Sequence, residues 1–176
     1  MFERFSKQAR QIVIDATAEA GRERAPRVAP KHVLLALLGK ETRSAAVLAG
    51  AGVTREALLE AFEAIARRGG LTDAEADALR SLGIDVDTVV DTVEREHGAG
   101  ALAEPRTPRP ARTPFSDEAK GLLVATLHQA VDRGDRRITD EHLLLALAAS
   151  GGSPAQVLAA HGLTYAELRT RLAAAA

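Results

Sequence analysis

The residues of this sequence that could take part in acid–base or metal chemistry are five histidines and nearby carboxylates, since the chain has no cysteine. Without cysteine, disulfides, thiolate nucleophiles and cysteine-based zinc sites are excluded. Glu94 and His97 have the Glu-x-x-His spacing of a di-iron helix, but such a site needs a second copy of the motif and further glutamates. We therefore expect His97 to lie at a solvated helix end.

His32 and His142 occupy equivalent places, 110 residues apart, each directly before an apolar segment. A histidine at the start of a buried helix usually bonds a neighbouring backbone group or packs in the interior. We predict a structural role for both residues, and proton transfer is the alternative.

Three further motifs are incomplete or missing. Gly98–Ala103 is rich in glycine but has no strand before it, as a dinucleotide-binding loop requires. Ser150–Ser153 is not the Gly-x-Ser-x-Gly elbow of a hydrolase. No Gly-x-x-x-x-Gly-Lys-[Ser/Thr] loop for nucleotide phosphates occurs. The sequence therefore predicts no catalytic residue, no metal, no cofactor and no enzyme activity.

Charge and hydropathy limit the classes of partner. The chain has 23 basic and 24 acidic residues, a net charge of −1, which gives no strong field toward nucleic acid or anionic lipid. Its longest purely apolar run, Leu143–Ala149, is far shorter than the ~18 residues that cross a bilayer. The first residues lack the apolar segment of a secretory signal. We expect a cytoplasmic protein with no membrane contact.

An internal repeat determines the organisation of the chain. Shifting the sequence by 110 positions aligns Phe5–Arg10 with Phe115–Lys120 and His32–Leu37 with His142–Leu147, without a gap. Residues that are identical at the same offset include Val47, Leu48, Gly52, Thr54 and Leu58. This pattern predicts a duplicated structural unit.

Each copy is predicted to form four helices and no strand. Ser6 is the predicted N-cap of a first helix whose apolar residues recur at helical spacing. The second helix begins near Pro30 or at Thr139, is apolar nearly all round, and should be the buried centre of its copy. Gly52 and Gly162 should end a short third helix before the fourth. The inward stripe of the second copy's first helix is predicted to be Ala119, Leu122, Leu123, Leu127 and Ala130.

Residues 67–114 interrupt the duplication. Thr72 and Asp85 are predicted to cap two extra helices, and the four prolines and three arginines of 98–114 indicate a linker. The predicted organisation is therefore a first repeat (1–66), a helical insert (67–97), a linker (98–114) and a second repeat (115–176). Both repeats should pack as one all-α domain with pseudo-two-fold symmetry.

The Phe-Ser-x-x-Ala-[Arg/Lys] and His-[Val/Leu]-Leu-Leu-Ala-Leu segments of both copies, with Met1–Phe5 before them, resemble the double Clp N-terminal repeat. That domain heads the ClpA- and ClpC-type AAA+ unfoldases, where it binds adaptors and substrates. The resemblance covers residues 1–66 and 115–174 and implies a stand-alone, non-catalytic module that binds proteins or peptides. It would act as an adaptor, regulator or decoy in Clp-dependent proteolysis, with a Clp unfoldase, its substrates or adaptors, or peptides as partners.

The resemblance also implies two binding surfaces. In ClpC-type relatives an acidic residue before the repeat histidine helps bind the guanidinium of phosphoarginine; Glu141 keeps it in the second copy, whereas Lys31 stands in the first. A hydrophobic patch binds cyclic peptide antibiotics in actinobacterial relatives, so this chain could sequester them. The residues matching that patch are Met1, Phe2, Phe115 and Lys120. Packing in the seam between the copies is the alternative role of the phenylalanines.

One function of a different class stays open. Arg106, Arg109 and Arg112 make the linker basic, so a helical regulator that contacts nucleic acid through it is the alternative. No aromatic residues lie among these arginines to stack on bases. We therefore expect a solvated linker.

Overall fold

A computed structural model of the chain describes residues 2–103 and 113–174, and its secondary structure is almost entirely helical. The first copy forms α1 (Lys7–Glu23), α2 (Pro30–Leu38), α3 (Arg43–Gly50) and α4 (Arg55–Arg67). The insert forms α5 (Asp73–Ser81) and α6 (Val86–His97). The second copy forms α7 (Asp117–Asp132), α8 (Asp140–Ala149), α9 (Ser153–Ala160) and α10 (Tyr165–Ala174). The predicted all-α class, with four helices in each copy and two between them, is confirmed.

The first helix of each copy begins at a serine, as the sequence predicts for Ser6. The Oγ of Ser6 accepts a hydrogen bond from the N–H of Ala9 at 3.1 Å, and the Oγ of Ser116 accepts one from Ala119 at 3.2 Å. Each bond satisfies a backbone donor that has no partner within its helix. The two caps therefore begin α1 and α7 at equivalent residues.

The helices α2 and α8 form the interior of their copies. Every residue of His32–Leu37 and His142–Leu147 is buried. A helix that is apolar around its whole circumference must be surrounded by other elements. The helix α2 contacts α1, α3 and α8, while α8 also contacts α7, α9 and α10. The contact between α2 and α8 joins the two copies through a shared core.

Two short backbone pairings cross between the copies. Phe5 pairs in parallel with Ile138, and Phe115 pairs in the same way with Val28. Backbone hydrogen bonds of 2.8–3.0 Å close each pairing. Both partners of one pairing lie 110 residues from the matching partners of the other, so the duplication relates the two pairings. The start of each copy is thereby held by the other copy.

The two copies differ where α3 meets α8. The carboxylate of Asp140 accepts a hydrogen bond from the N–H of Ser44 at 3.1 Å, so the second copy caps a helix of the first. The equivalent positions hold Pro30 and Pro154. Because proline has no N–H, position 154 needs no acceptor. The two copies therefore differ at both positions of this hydrogen-bonded pair: Asp140 corresponds to Pro30, and Ser44 corresponds to Pro154.

Glycine ends the third helix of each copy, as predicted. Gly52 and Gly162 have φ angles of +73° and +72°, in the left-handed region that disfavours a Cβ atom. After the second of them, the N–H of Leu163 donates to the carbonyl of Leu158 at 2.9 Å. This bond satisfies a carbonyl in the last turn of α9.

The described residues fall into two compact units. One draws on Met1–Arg55 and Arg106–Ala176, and the other draws on Glu56–Pro105. The boundaries predicted from the sequence, after residues 66, 97 and 114, concern the duplication and stay predictions. The linker arginines Arg106, Arg109 and Arg112 lie outside the described residues, so the nucleic-acid alternative also stays a prediction.

The second unit contains a small apolar cluster of its own. Ala76, Val86 and Val90 are buried, and Leu71 and Leu79 pack against them. This cluster joins α5 to α6. The two inserted helices therefore form a packed hairpin.

Both helices of the insert begin at the caps that the sequence predicts. The Oγ1 of Thr72 accepts a hydrogen bond from the N–H of Glu75 at 3.4 Å, and the Glu75 carboxylate accepts one from the N–H of Thr72 at 2.9 Å. The carboxylate of Asp85 accepts a hydrogen bond from the N–H of Thr88 at 3.1 Å. These bonds fix the starts of α5 and α6.

Candidate functional site

The side chain of His32 is buried and bonded at both ring nitrogens. Its Nδ1 accepts a hydrogen bond from the N–H of Ala29 at 2.8 Å, and its Nε2 lies 2.8 Å from the carboxylate of Glu23. Because an N–H can donate only to an unprotonated ring nitrogen, Nδ1 carries no proton and Nε2 donates to Glu23. This hydrogen bond, with help from Lys31, lowers the pKa of Glu23 to about 2.

His142 repeats this arrangement with different partners. Its Nδ1 accepts a hydrogen bond from the N–H of Thr139 at 3.0 Å, and its Nε2 lies 3.0 Å from the carboxylate of Asp135. Burial lowers the pKa of His142 below its ordinary value, which favours the neutral ring. The contacts of His32 and His142 confirm the structural role predicted for both.

The charges beside the two histidines are reversed between the copies. In the first copy, the carboxylate of Glu23 pairs with the ammonium of Lys31. The equivalent positions in the second copy hold Arg133 and Glu141, whose charged atoms are 3.6 Å apart. The residue directly before the histidine is therefore basic in the first copy and acidic in the second, and in each copy it faces a residue of opposite charge.

Glu141, the residue that the resemblance assigns to a guanidinium pocket, already contacts guanidinium groups of its own chain. Its Oε1 lies 3.0 Å from Nη1 of Arg43, which comes from the first copy, and its Oε2 faces Arg133. Arg43 also donates to the carbonyl of Leu172 at 2.7 Å. Only 13% of the Glu141 side chain is exposed. A ligand would have to displace Arg43, and binding at Glu141 stays a prediction.

The four residues of the predicted hydrophobic patch are described to different extents. Met1 and the side chain of Phe2 lie outside the described part of the chain, although Phe2 begins a short 3-10 turn. Phe115 is half-buried and immediately precedes the N-cap of α7. Lys120 is 64% exposed and donates to Asp117 at 2.8 Å. Phe115 therefore lies just before α7 and Lys120 in its first turn, and the binding patch stays a prediction.

The helix α7 has an apolar side in solvent that the sequence analysis missed. Val124 and Val131 are 41% and 54% exposed, and Leu127 is half-buried. At 100° per residue, these three side chains and Lys120 lie on one side of the helix. We refer to Lys120, Val124, Leu127 and Val131 as the α7 face. Ile14, at the position in α1 equivalent to Val124, is also exposed.

The predicted inward stripe of α7 is therefore partly wrong. Leu123 and Leu127 are only half-buried, whereas the buried residues are Ala119, Leu122, Thr126 and Ala130. Thr126 can be buried because its hydroxyl donates to the carbonyl of Leu122 at 2.7 Å. The sequence carries no clear signal for this orientation, because α7 has apolar residues on most sides and periodicity alone cannot decide which side faces inward.

Within 2–103 and 113–174, no group of three or more histidine, aspartate or glutamate side chains is arranged to hold a metal ion. In the same ranges, no single helix is long and apolar enough to cross a membrane; only α8 and α9 taken together pass that test, across a bend of 96°.

Comparison with known protein families shows which family has this duplicated helical domain. The family of the Clp repeat (R) N-terminal domain matches residues 4–76, 70–161 and 114–176. The chain belongs to this family. The resemblance to the Clp N-terminal repeat, which was based on the Phe-Ser and His-Leu segments of both copies, is confirmed.

Relatives of this Clp N-domain include much longer proteins. This chain is 29% identical over 175 residues to the chloroplastic ATP-dependent Clp protease ATP-binding subunit ClpA homolog of Brassica napus. It is 30% identical over 175 residues to the chloroplastic chaperone protein ClpC2 of Oryza sativa subsp. japonica. Each alignment covers 98% of this chain but only 16% and 15% of the relatives, so the chain spans about a sixth of their length.

Solved structures show the same fold. The Hsp104 N-terminal domain of Candida albicans matches with a TM-score of 0.60 and 18% identity, over 96% of this chain and 89% of that one. The N-terminal domain of the chaperone ClpD of Arabidopsis thaliana matches with a TM-score of 0.53 and 19% identity, over 97% and 96%. The expected Clp N-domain architecture is confirmed.

Proposed function

We propose that this Clp N-domain is a non-catalytic module that binds polypeptide segments and acts as an adaptor, regulator or decoy in Clp-dependent proteolysis. Its partners would be a cytoplasmic Clp unfoldase and the substrates and adaptors of that unfoldase. Cyclic peptide antibiotics that attack such unfoldases are a further ligand class that it would sequester. Membership of the family supports the general kind of partner, and the particular role is the proposal.

The exposed α7 face is the observation that carries the proposal. Large apolar side chains grouped in solvent mark interaction sites on soluble proteins. Lys120 belongs both to the α7 face and to the patch that the resemblance implies, and Phe115, another residue of that patch, lies just before the helix. A polypeptide could bury its own apolar side chains there while a carboxylate contacts the lysine.

Binding of an unfolded polypeptide tests the proposal directly. A fluorescently labelled, permanently unfolded protein is titrated with the wild type, with Val124→Asp/Val131→Asp and with Phe2→Ala/Phe115→Ala. Leu82→Ala is the control, because Leu82 is 76% exposed but belongs to the second unit. Affinity capture from the source cell, analysed by mass spectrometry, is run with the same four proteins.

The wild type and the control should bind the unfolded protein and recover Clp components or their substrates. The valine variant should bind roughly tenfold more weakly, since two charges replace apolar contacts. Equal binding by the wild type and the valine variant would remove the α7 face from the proposal. Failure of the folded wild type both to bind polypeptide and to recover Clp components would refute the proposed function.

A further inference from the structure

A cluster of exposed cations surrounds the pairing of Phe5 with Ile138. The cations lie in two short segments that this pairing holds side by side, and we call them the basic edge: Arg4, Lys7, Arg10, Arg136 and Arg137. The segments are joined by the N–H of Ser6, which donates to the carbonyl of Ile138 at 2.8 Å. All five cationic residues are exposed. Their positions are therefore fixed by the fold, while their charges face solvent.

Few acidic groups of the described chain neutralise these cations. Lys7, Arg136 and Arg137 make no ion pair with any residue in the described ranges. The guanidinium of Arg4 donates to the backbone carbonyl of Asp135 at 3.4 Å, and that of Arg10 donates to the carbonyl of Phe5 at 3.3 Å. These bonds hold the side chains of Arg4 and Arg10 along the edge, beside the three cations without an ion pair.

The duplication supplies an internal comparison, because the pairing of Phe115 with Val28 has the same backbone geometry. Around Phe5 and Ile138, residues 3–10 and 135–137 contain five basic and two acidic residues, a net charge of +3. The equivalent residues 113–120 and 25–27 contain two basic and two acidic residues, a net charge of zero. Folding of the pairing therefore does not require the excess of positive charge.

The basic edge also works against helix stability. Lys7 is the first residue of α1, and the first turn of that helix contains no acidic residue. Cations are unfavourable at the positive N-terminal end of a helix dipole. At the equivalent end of α7, the first turn contains Asp117 and Glu118. A charge that is unfavourable for folding and absent from the sister copy points to a role in binding.

We propose that the basic edge binds an acidic polypeptide segment, a proposal that rests on the proposed function and specifies the chemistry of one partner. Several carboxylates in an extended segment could pair with Lys7, Arg136 and Arg137 together. Nucleic acid fits less well, because Phe5, the aromatic residue at the centre of the pairing, is buried and cannot stack on bases. The net charge of −1 for the whole chain also gives no long-range attraction for a long polyanion.

Fluorescence anisotropy with three labelled probes tests this inference at low salt. The probes are a short oligoglutamate peptide, a glycine–serine peptide of equal length and an oligothymidylate of equal charge. The edge variant is Arg136→Glu/Arg137→Glu. The control is Arg95→Glu/Arg169→Glu, which changes the net charge equally at two exposed arginines elsewhere. A third variant, Lys7→Asp, places the residue of the sister copy at the start of α1.

Oligoglutamate should bind the wild type and the control, and the edge variant should bind roughly tenfold or more weakly because attraction becomes repulsion. Lys7→Asp should weaken oligoglutamate binding and raise the melting temperature, because an acidic residue is favourable at the start of α1. A purely structural role for Lys7 would not produce the loss of binding together with the gain in stability. Added salt should weaken all of this binding.

Absence of oligoglutamate binding by the folded wild type would overturn the inference, as would equal losses in the edge variant and the control. Tighter binding of oligothymidylate than of oligoglutamate would also overturn it, in favour of nucleic acid. Binding of unfolded polypeptide through the α7 face would survive each of these results if the proposed function holds. Loss of that binding as well would refute both proposals.

Discussion

Replacing Arg43 by serine, the residue at the equivalent position 153, should weaken the attachment of the two copies to each other. The substitution removes the 3.0 Å contact with Glu141 and the 2.7 Å hydrogen bond to the carbonyl of Leu172. Hydrogen bonds that involve a charged group contribute about 1.5–3 kcal/mol each, whereas exposed ion pairs contribute about 0.2–1 kcal/mol. Since the Arg43 side chain is 40% exposed, we expect a loss between these limits.

The expected decrease in the free energy of unfolding for Arg43→Ser is about 1–3 kcal/mol. For chains of this size, that corresponds to a fall in melting temperature of roughly 2–12 °C. Urea denaturation followed by circular dichroism measures it. Arg171→Ser is the control, because its partner Glu167 is four residues away on the same helix and both side chains are about 40% exposed, so that pair should contribute about 0.3–0.5 kcal/mol.

The same substitution tests the guanidinium pocket. With Arg43 removed, the Glu141 carboxylate becomes available to a ligand, so Arg43→Ser should bind phosphoarginine more tightly than the wild type does. Isothermal calorimetry measures this, and Arg43→Ser/Glu141→Gln should lose the gain. If Arg43→Ser is as stable as Arg171→Ser, the energetic reasoning is refuted. If it is less stable but phosphoarginine binding does not improve, Glu141 is a structural residue only.

Three further predictions concern the core, the histidine caps and the insert. Leu35→Ala or Leu145→Ala should lower the free energy of unfolding, measured by urea denaturation, by about 2–5 kcal/mol. The control Leu82→Ala, at an exposed residue, should lower it by less than about 0.5 kcal/mol. Similar losses for all three variants would contradict the assigned core. The pKa of Glu23 falls from 4.5 to about 2 in the folded state, so its stabilising contribution is present above pH 4.5 and is lost as the pH falls toward 2. Glu23→Gln should therefore flatten the curve of melting temperature against pH in that window, and parallel curves would argue against the cap. Thr72→Ala should destabilise the second unit by about 0.5–2 kcal/mol, detected by faster hydrogen exchange in α5; unchanged exchange would contradict the role of its capping box.

Local signals made the helices predictable. The caps at Ser6, Thr72 and Asp85 and the turn at Gly52 depend on residues within a few positions of each other, so their chemistry can be read directly from the sequence. The duplication strengthened these predictions, because each signal in one copy could be compared with its counterpart. The central position of α2 and α8 followed from segments that are apolar on all sides.

Contacts between distant residues could not be predicted in the same way. Asp140 caps α3 and Arg43 contacts Glu141, but the residues of each pair lie almost 100 positions apart and have no local sequence signature. The orientation of α7 was missed for a related reason. Its burial of Thr126 in place of Leu127 depends on which neighbouring elements surround the helix. The two surfaces that we propose for binding depend on this tertiary arrangement as well.

Divergence between the copies concentrates at the same places. The core residues of α2 and α8 keep their apolar character, whereas the charges around the histidines are exchanged and the two backbone pairings carry different surface charges. Such a pattern is expected when a duplicated scaffold keeps one fold and uses its two halves for different contacts.

Amide hydrogen exchange, measured residue by residue by nuclear magnetic resonance, tests the central claim that the two copies hold each other in one unit. The decisive amides are those of Ser6, Val28, Ser116 and Ile138, each of which donates across the copies. We predict that they exchange as slowly as the amides in the middle of α2 and α8, because they open only when the shared core unfolds. Exchange at the rate of exposed loop amides would contradict a unit closed by these pairings.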